Sequence, residues 1–350
     1  GTPSSKDPDG EAYRLLLIAS CNNWNKSIPL MFQPIADHTE LLIPNNLLSQ
    51  QSILTDVRNA MTAANCEHVE IMGWLHQFYI SEKKKLIQDS KQRYSPETIP
   101  TATQLFTPHW IARYLIENSL GRLWMLNKPD SRLIEEMEYY IKPAESEIEF
   151  IKLSTPEEIK LCDPACGSGH LLTCAFDLLY RIYEEEGYAN SEIPDKILSH
   201  NIFGVDLDPD AEMLANFALI MKARSKYPSF FPNSITPNIC ILEKITFSAE
   251  EIHDYAHVIG TDFFNKHLKH GVNDFEQAEH VGSLIQPKIQ DVESIRKHLH
   301  KKNYSALSSI CDTHHRIQKC LSQSEYLAQR YHIVVANPPY LGGKWMSSEL

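Results

Sequence analysis

The sequence Asp-Pro-Ala-Cys-Gly-Ser-Gly, residues 163–169, follows an apolar stretch typical of a strand and precedes a stretch with helical periodicity, 171–184. Its glycines, Gly167 and Gly169, can adopt positive φ angles and let a ligand approach the backbone closely. In open α/β sheets, such turns bind ligands at the carboxyl ends of the strands. Asp163 precedes the turn, and its carboxylate would repel a diphosphate but suits a cation such as an ammonium group. The alternative is an ordinary tight turn without a ligand.

Further apolar stretches predict the rest of a sheet. Strand-length runs occupy residues 159–162, 202–205, 238–242 and 333–336, and helical patterns follow the first two. Alternating strands and helices predict an α/β fold with a mostly parallel sheet. Asp206 directly follows the second strand, where an acidic residue can bind the hydroxyl groups of a ribose. Asp208 precedes a proline and is predicted to cap the next helix.

A proline-rich tip, Asn337-Pro338-Pro339-Tyr340, follows the last apolar strand. The prolines end the strand and stiffen the turn. The side-chain oxygen of Asn337 and the carbonyl oxygen of Pro338 can accept two hydrogen bonds, which matches the two donors of an exocyclic amine such as N6 of adenine. Tyr340 offers a flat face on which a base can stack. A simple strand-terminating turn is the alternative.

These motifs, in this order, resemble those of class I S-adenosylmethionine-dependent methyltransferases with a Rossmann-like fold, specifically N6-adenine DNA methyltransferases of the gamma arrangement. In that family a Phe-Thr-Pro segment, matched here by residues 106–108, closes over the methionine end of the cofactor. The resemblance implies that Asn337, Pro338 and Tyr340 hold the target adenine. It implies that S-adenosylmethionine is bound by Phe106, Thr107, Pro108, Asp163, Ala165, Gly167, Gly169, Asp206 and Glu243. Glu243 is included as the nearest acid after the third strand, for the amino group of the cofactor's adenine.

Longer segments narrow the resemblance to the PglX family, the methyltransferases of BREX phage-defence systems. Residues 70–84, 102–111 and 118–124 are similar to segments of that family, and the likeness extends in outline over most of residues 66–345. Membership implies methylation of host DNA at a short asymmetric site and a part in phage exclusion. The implied partners are double-stranded DNA and other phage-defence proteins, with no membrane.

The chain is predicted to contain a mainly helical N-terminal domain, residues 1–95, and a methyltransferase catalytic domain, residues 96–350. The boundary falls at the two prolines of residues 95–100. Polar, His-rich residues 247–329 are predicted to form a helical insertion before the last strand. Thr107 precedes a proline and a periodic apolar stretch, which predicts that its hydroxyl caps the helix that begins there.

Composition excludes several classes of protein. Of the 350 residues, 43% are hydrophobic and 22% charged, which excludes wholesale disorder and fibrous repeats. No apolar run approaches the ~20 residues that span a membrane. Eight cysteines without a Cys-x-x-Cys pair predict a reduced, cytoplasmic setting. No metal site is predicted, because the cysteines and histidines of residues 311–320 fit no common zinc spacing.

The net charge of −12 argues against a self-sufficient DNA clamp, which would present a basic face to the phosphates. The family continues beyond its catalytic tip with further strands and a target-recognition domain, whereas only residues 341–350 follow Tyr340 here. We therefore expect the chain to be a fragment, incomplete at its C-terminus, that binds the cofactor weakly and methylates DNA inefficiently. The missing part would then supply the basic DNA-binding face.

Two alternative functions remain open. Asn-Pro-Pro-Tyr also serves methyltransferases that act on protein glutamine or rRNA guanine. In those enzymes the gap between glycine turn and catalytic motif is short, whereas 168 residues (337 minus 169) separate them here, which favours the large DNA enzymes. The other alternative is a scaffold that keeps the fold to recruit defence proteins. The presence of both Asp163 and the complete tip at residues 337–340 argues against a scaffold.

Overall fold

The structure, a computed structural model, describes residues 7–29, 32–66, 69, 71–90, 93–95, 98–103, 107–145, 147–230, 236–302, 308–338 and 340. Phe106 of the predicted site and Pro339 of the proline-rich tip lie outside these residues.

The N-terminal region is built from helices. They are α1 (Pro8–Ser27), α2 (Ile53–Ala60), α3 (Ile71–Asp89) and α4 (Ile99–Thr103). The prediction of a mainly helical region over residues 1–95 did not locate α1, although an acid and a proline mark its start. The Asp7 side chain accepts a hydrogen bond from the Gly10 amide at 3.0 Å, and Pro8 is the first helical residue. This is the same start signal that the sequence carries at residues 208–209.

A parallel sheet lies at the centre of the fold. Within the described residues its strands are β1 (Leu161–Asp163), β2 (Ile202–Asp206), β3 (Asn238–Ile241) and β4 (Ile333–Val334), in the order β3-β2-β1-β4. The register places Asp163 beside Gly204 and Cys162 beside Val334. The predicted α/β class with a parallel sheet is confirmed, and the predicted strands differ from the observed ones by one or two residues at their ends.

Helices connect and cover the strands. They are α5 (His109–Ile116), α6 (Arg122–Asn127), α7 (His170–Glu185), α8 (Ile193–Lys196), α9 (Pro209–Lys226), α10 (Ala249–Ile259), α11 (Thr261–His267), α12 (Ala278–Val281), α13 (Val292–Leu299) and α14 (Ser308–Ala328). The prediction that Asp208 caps α9 is confirmed, since its side chain accepts a hydrogen bond from the Asp210 amide at 3.0 Å. In the part of the chain that the structure describes, every helix is too short or too polar to cross a lipid bilayer.

The predicted cap of α5 is wrong. The helix begins at His109 with Pro108 at the capping position, and no side chain caps it. The reason is the extended backbone of Pro108, with φ −53° and ψ 138°, which keeps Thr107 outside the first turn. The Thr107 hydroxyl is therefore available for a contact elsewhere in the fold.

Helices cover both faces of the sheet, because neighbouring residues of a strand point to opposite sides. On one face, Leu161 and Ile202 pack in a core with apolar residues of α5, α6, α7 and α9. On the other face, Cys162 and Phe203 pack in a core with residues of α10, α11, α13 and α14. The segment 247–329 therefore supplies the helical layer on this second face.

A buried amide joins the two central strands near their amino ends. Asn201 donates hydrogen bonds to the carbonyl oxygens of Pro156 and Ile159, both at 2.8 Å, and accepts one from the Tyr183 hydroxyl at 2.9 Å. Asn201 directly precedes β2, and Ile159 lies just before β1. Because these polar groups are buried and paired, the amide fixes the start of β1 against β2 and α7.

Candidate active site

The turn after β1 is shaped by its two glycines. Gly167 and Gly169 have φ angles of 51° and 78°, left-handed values that favour glycine. A Cβ at Gly169 would lie 3.0 Å from Cα of Ala215 on α9, so this glycine also permits close packing. A Cβ at Gly167 would meet no described atom within 4 Å. The turn is therefore packed against α9 at one glycine and faces open space at the other.

Asp163 is a buried carboxylate at the end of β1. Only 1% of its surface is exposed, and its Oδ1 accepts a hydrogen bond from the Ala165 amide at 3.1 Å. The pKa of Asp163 is raised to about 7 by its burial and, less strongly, by the negative charge of Asp206, although the Ala165 hydrogen bond acts in the opposite direction. A cation beside this carboxylate would favour its ionised form.

Asp206 holds the glycine turn against the end of β2. Its Oδ2 accepts a hydrogen bond from the Gly167 amide at 2.7 Å, and its Oδ1 accepts from the amides of Leu207 at 2.8 Å and Asp208 at 3.1 Å. The pKa of Asp206 is raised from its ordinary value, because the effect of burial outweighs that of these three N–H donors. A carboxylate offers about four acceptor positions, so one position remains for a ligand hydroxyl.

A cavity of about 60 Å³, here called the turn cavity, lies over the glycine turn. Five of the predicted site residues line it: Thr107, Asp163, Ala165, Gly167 and Asn337. The strand register explains this meeting, because β4 pairs with β1 and its tip emerges next to the end of β1. The glycine turn and Asn337 thus face a common space, although 168 residues separate Gly169 from Asn337 in the sequence.

The side chain of Asn337 is oriented by Thr107. Its Nδ2 donates a hydrogen bond to the Thr107 hydroxyl oxygen at 2.9 Å, and Thr107 is itself buried. Since the two ends of an amide point apart, Oδ1 is turned away from Thr107, and among the described residues no donor reaches it. This orientation leaves an acceptor available at the cavity.

The other tip residues are open to solvent. Pro338 is exposed, and 72% of the surface of Tyr340 is exposed. Neither residue lines the turn cavity, as far as the described residues show. An exposed aromatic ring beside Asn337 is a suitable surface for a base that approaches from solvent.

Glu243 lies apart from the turn cavity. It follows β3 and forms an ion pair with Lys319 of α14, with 2.5 Å between Oε2 and Nζ. Two residues of α3, Gly73 and Gln77, line the turn cavity although no motif reasoning placed them there. His170, the first residue of α7, also lines it. The sequence signal that could have found the α3 residues was the likeness of residues 70–84 to a family segment.

Because the pKa of Asp163 is raised, the difference in stability between the natural protein and an Asp163→Asn variant should depend on pH. The folded protein binds this proton more tightly than the unfolded chain, whose ordinary value is 3.8. The stability that this proton contributes is complete below about pH 4 and is lost as pH rises through about 7. An Asp163→Asn variant should therefore gain stability relative to the natural protein by up to about 4 kcal/mol between pH 4 and pH 8. Urea denaturation of both proteins across this range measures the difference. A difference that stays constant with pH would contradict the raised pKa.

Comparisons with known proteins give the family of the chain. A family model described as the Eco57I restriction-modification methylase matches residues 200–350. The adenine-specific methyltransferase BrxX of Escherichia coli O9:H4 (strain HS) is 38% identical over 99% of this chain and 31% of its own length. The adenine-specific methyltransferase PglX of Lacticaseibacillus casei (strain Zhang) is 31% identical over 97% of this chain and 30% of its own length. A second PglX, from Streptomyces coelicolor (strain ATCC BAA-471 / A3(2) / M145), is 24% identical over 61% of this chain and 14% of its own length.

The chain thus spans about a third of the length of the first two relatives. The similarity covers nearly the whole chain, and the parallel sheet with its glycine turn agrees with the methylase match. The family predicted from the motifs is confirmed. The chain has the class I methyltransferase fold and belongs to the family of the adenine-specific methyltransferases BrxX and PglX.

Proposed function

We propose that this chain forms the cofactor-binding and base-binding part of a site-specific DNA methyltransferase. The reaction is transfer of a methyl group from S-adenosylmethionine to N6 of a flipped adenine, in phage defence or restriction-modification. The observation that carries the proposal is that Asp163 and Asn337 line one cavity. A cation-binding carboxylate and an amide that can accept from an amine are the two groups that this reaction needs side by side.

The residues around the turn cavity fit S-adenosylmethionine by their chemistry. When bound, the cofactor supplies a methyl group on a positively charged sulfur, which is a good leaving group. Asp163 would hold the ammonium group, and its burial strengthens this attraction. The remaining acceptor position of Asp206 would take a ribose hydroxyl. Gly167 leaves room for the ligand to approach the backbone.

The tip residues would prepare the adenine amino group. Asn337 Oδ1 and the Pro338 carbonyl would accept hydrogen bonds from its two N–H groups and so make the nitrogen a better nucleophile. One of the two N–H protons would leave to solvent as the N–C bond forms and the C–S bond breaks. Holding that nitrogen in line with the methyl group is the main task of the site. Removing the base from the duplex costs a few kcal/mol, and stacking on Tyr340 would offset part of that cost.

The DNA substrate and the other partners belong to the whole protein. Because this chain has a net charge of −12 and spans about a third of the length of its relatives, we propose that most contacts to DNA phosphates come from residues outside it. Other phage-defence proteins are proposed as further partners. A cytoplasmic location fits this role, and the eight cysteines, all within the described residues, form no disulfide.

A methylation assay tests the proposed function. The natural protein at its full length is incubated with labelled cofactor and unmethylated DNA, and the DNA is digested to nucleosides. Label should appear in N6-methyladenine. Asn337→Ala should lower kcat by about a hundredfold or more because it removes an acceptor from the reacting amine. Asn65→Ala, at an exposed position of the N-terminal region, is the control and should leave kcat unchanged.

Two outcomes would overturn the proposed function. Label in another nucleoside, in RNA or in protein would reject adenine as the substrate. The second outcome would come from calorimetry. If the natural protein shows no heat of cofactor binding and Asp163→Ala changes nothing, the chain is a scaffold.

The hydrogen bond from Asn337 to Thr107 predicts that Thr107 is a positioning residue. Thr107→Val keeps the shape of the side chain but removes the acceptor, so kcat should fall about fivefold to tenfold. The Kd of the cofactor should stay within about twofold. Thr107→Ser keeps the hydroxyl and should restore kcat. If Thr107→Val instead weakens cofactor binding and leaves kcat unchanged, Thr107 acts on the cofactor and not through Asn337.

A further inference from the structure

One face of α3 lies over the ligand side of the sheet. Gly73 and Gln77 line the turn cavity, and Ile80 and Lys83 line a second cavity of about 680 Å³, here called the outer cavity. These positions recur every three or four residues, so they belong to one side of the helix. From Gly73 to Lys83 the helix rises about 15 Å. A single helical face therefore spans both cavities.

The outer cavity continues from the proposed ribose-binding residue. On the side of the sheet it is lined by residues 207–210, which directly follow Asp206 at the end of β2. Helix α9 begins within this stretch, and α3 packs against α9. A ligand that reaches from the turn cavity past Asp206 would therefore enter the outer cavity, with α3 on its other side.

The lining of the outer cavity suits a neutral planar group. Tyr79, Ile80 and Leu207 supply aromatic and apolar surface. Three carboxylates of this lining, Glu82, Asp208 and Asp210, outnumber its one lysine, Lys83, and this excess of negative charge disfavours a phosphate. A nucleoside without phosphate fits this combination, because its base can lie against the apolar surface and its amino group can donate to a carboxylate.

We propose that α3 is the outer wall of the cofactor site, and that Tyr79 contacts the adenosine part of S-adenosylmethionine while Gln77 contacts the methionine part. This inference rests on the proposed function, since it concerns the same cofactor. The N-terminal region, predicted from sequence as a separate domain, then contributes directly to cofactor binding. Helix α3 of that region then supplies part of the binding free energy of the cofactor.

Two neighbouring aromatic residues of α3 provide a matched test. Tyr79 lines the outer cavity, whereas Phe78 lines neither cavity among the described residues; their exposed fractions are similar, 83% and 74%. Binding of S-adenosylmethionine to the natural full-length protein and its variants is measured by titration calorimetry. Tyr79→Ala should raise Kd about tenfold through the loss of a stacking surface. Phe78→Ala should change Kd by less than about twofold.

Two results overturn the inference in distinguishable ways. If Tyr79→Ala and Phe78→Ala bind the cofactor equally well while Asp163→Ala does not bind it, α3 is not a wall of the site and the proposed function stands. If the unaltered protein does not bind the cofactor, the inference and the proposed function both fall.

Hydrogen exchange on the unaltered protein keeps the inference testable if a variant does not fold. The cofactor should slow exchange of the α3 amides and leave those of α13, on the opposite face of the sheet, unchanged. Equal effects on both helices, or none on α3, would overturn the inference.

Discussion

The constraint on which the site depends is the placement of two carboxylates, one buried and one half-buried, at the ends of adjacent parallel strands. Asp206 is stabilised by three backbone amides, one of which belongs to the glycine turn, so this acid also fixes the shape of the turn. Asp163 is more deeply buried and accepts one hydrogen bond, from Ala165, among the described residues. Burying a carboxylate with so little compensation is costly unless it stays protonated or meets a cation. The turn cavity beside it is where a cation would bind.

The sheet topology brings the tip that follows β4 close to the carboxylate of Asp163. Because β4 lies next to β1 in parallel, the tip that follows β4 emerges at the same edge as the turn that follows β1. The contact between Asn337 and Thr107 then joins this tip to the segment before α5. Helices on both faces hold the short strands in place, and the segment 247–329 covers one of these faces. Elements that lie far apart in the sequence are thus needed to form the small turn cavity.

The sequence was most informative where local chemistry determines the backbone. The glycine turn and the cap at Asp208 could be predicted because φ preferences and capping act within a few residues. The prediction that the prolines end β4 is wrong, because the strand already ends at Val334, four residues before Pro338. Thr107 shows the limit of such reasoning: its residue type favours a helix cap, but a side chain 230 residues away uses its hydroxyl instead. The place of α3 over the cavities depends on its packing against α9, which no local pattern reveals. The assignment of Glu243 to the cofactor remains a prediction.

Proton release on cofactor binding tests most directly whether Asp163 is a buried acid that awaits a cation. At pH 6 the amino group of the cofactor is already protonated, whereas an acid with a pKa of about 7 is mostly neutral. Titration calorimetry of the natural full-length protein in buffers of different ionisation enthalpy counts the protons released. Ionisation of Asp163 beside the ammonium group predicts a release of about 0.9 proton per cofactor at pH 6, and none in Asp163→Asn. Binding without proton release, or equal release by the variant, would contradict the account.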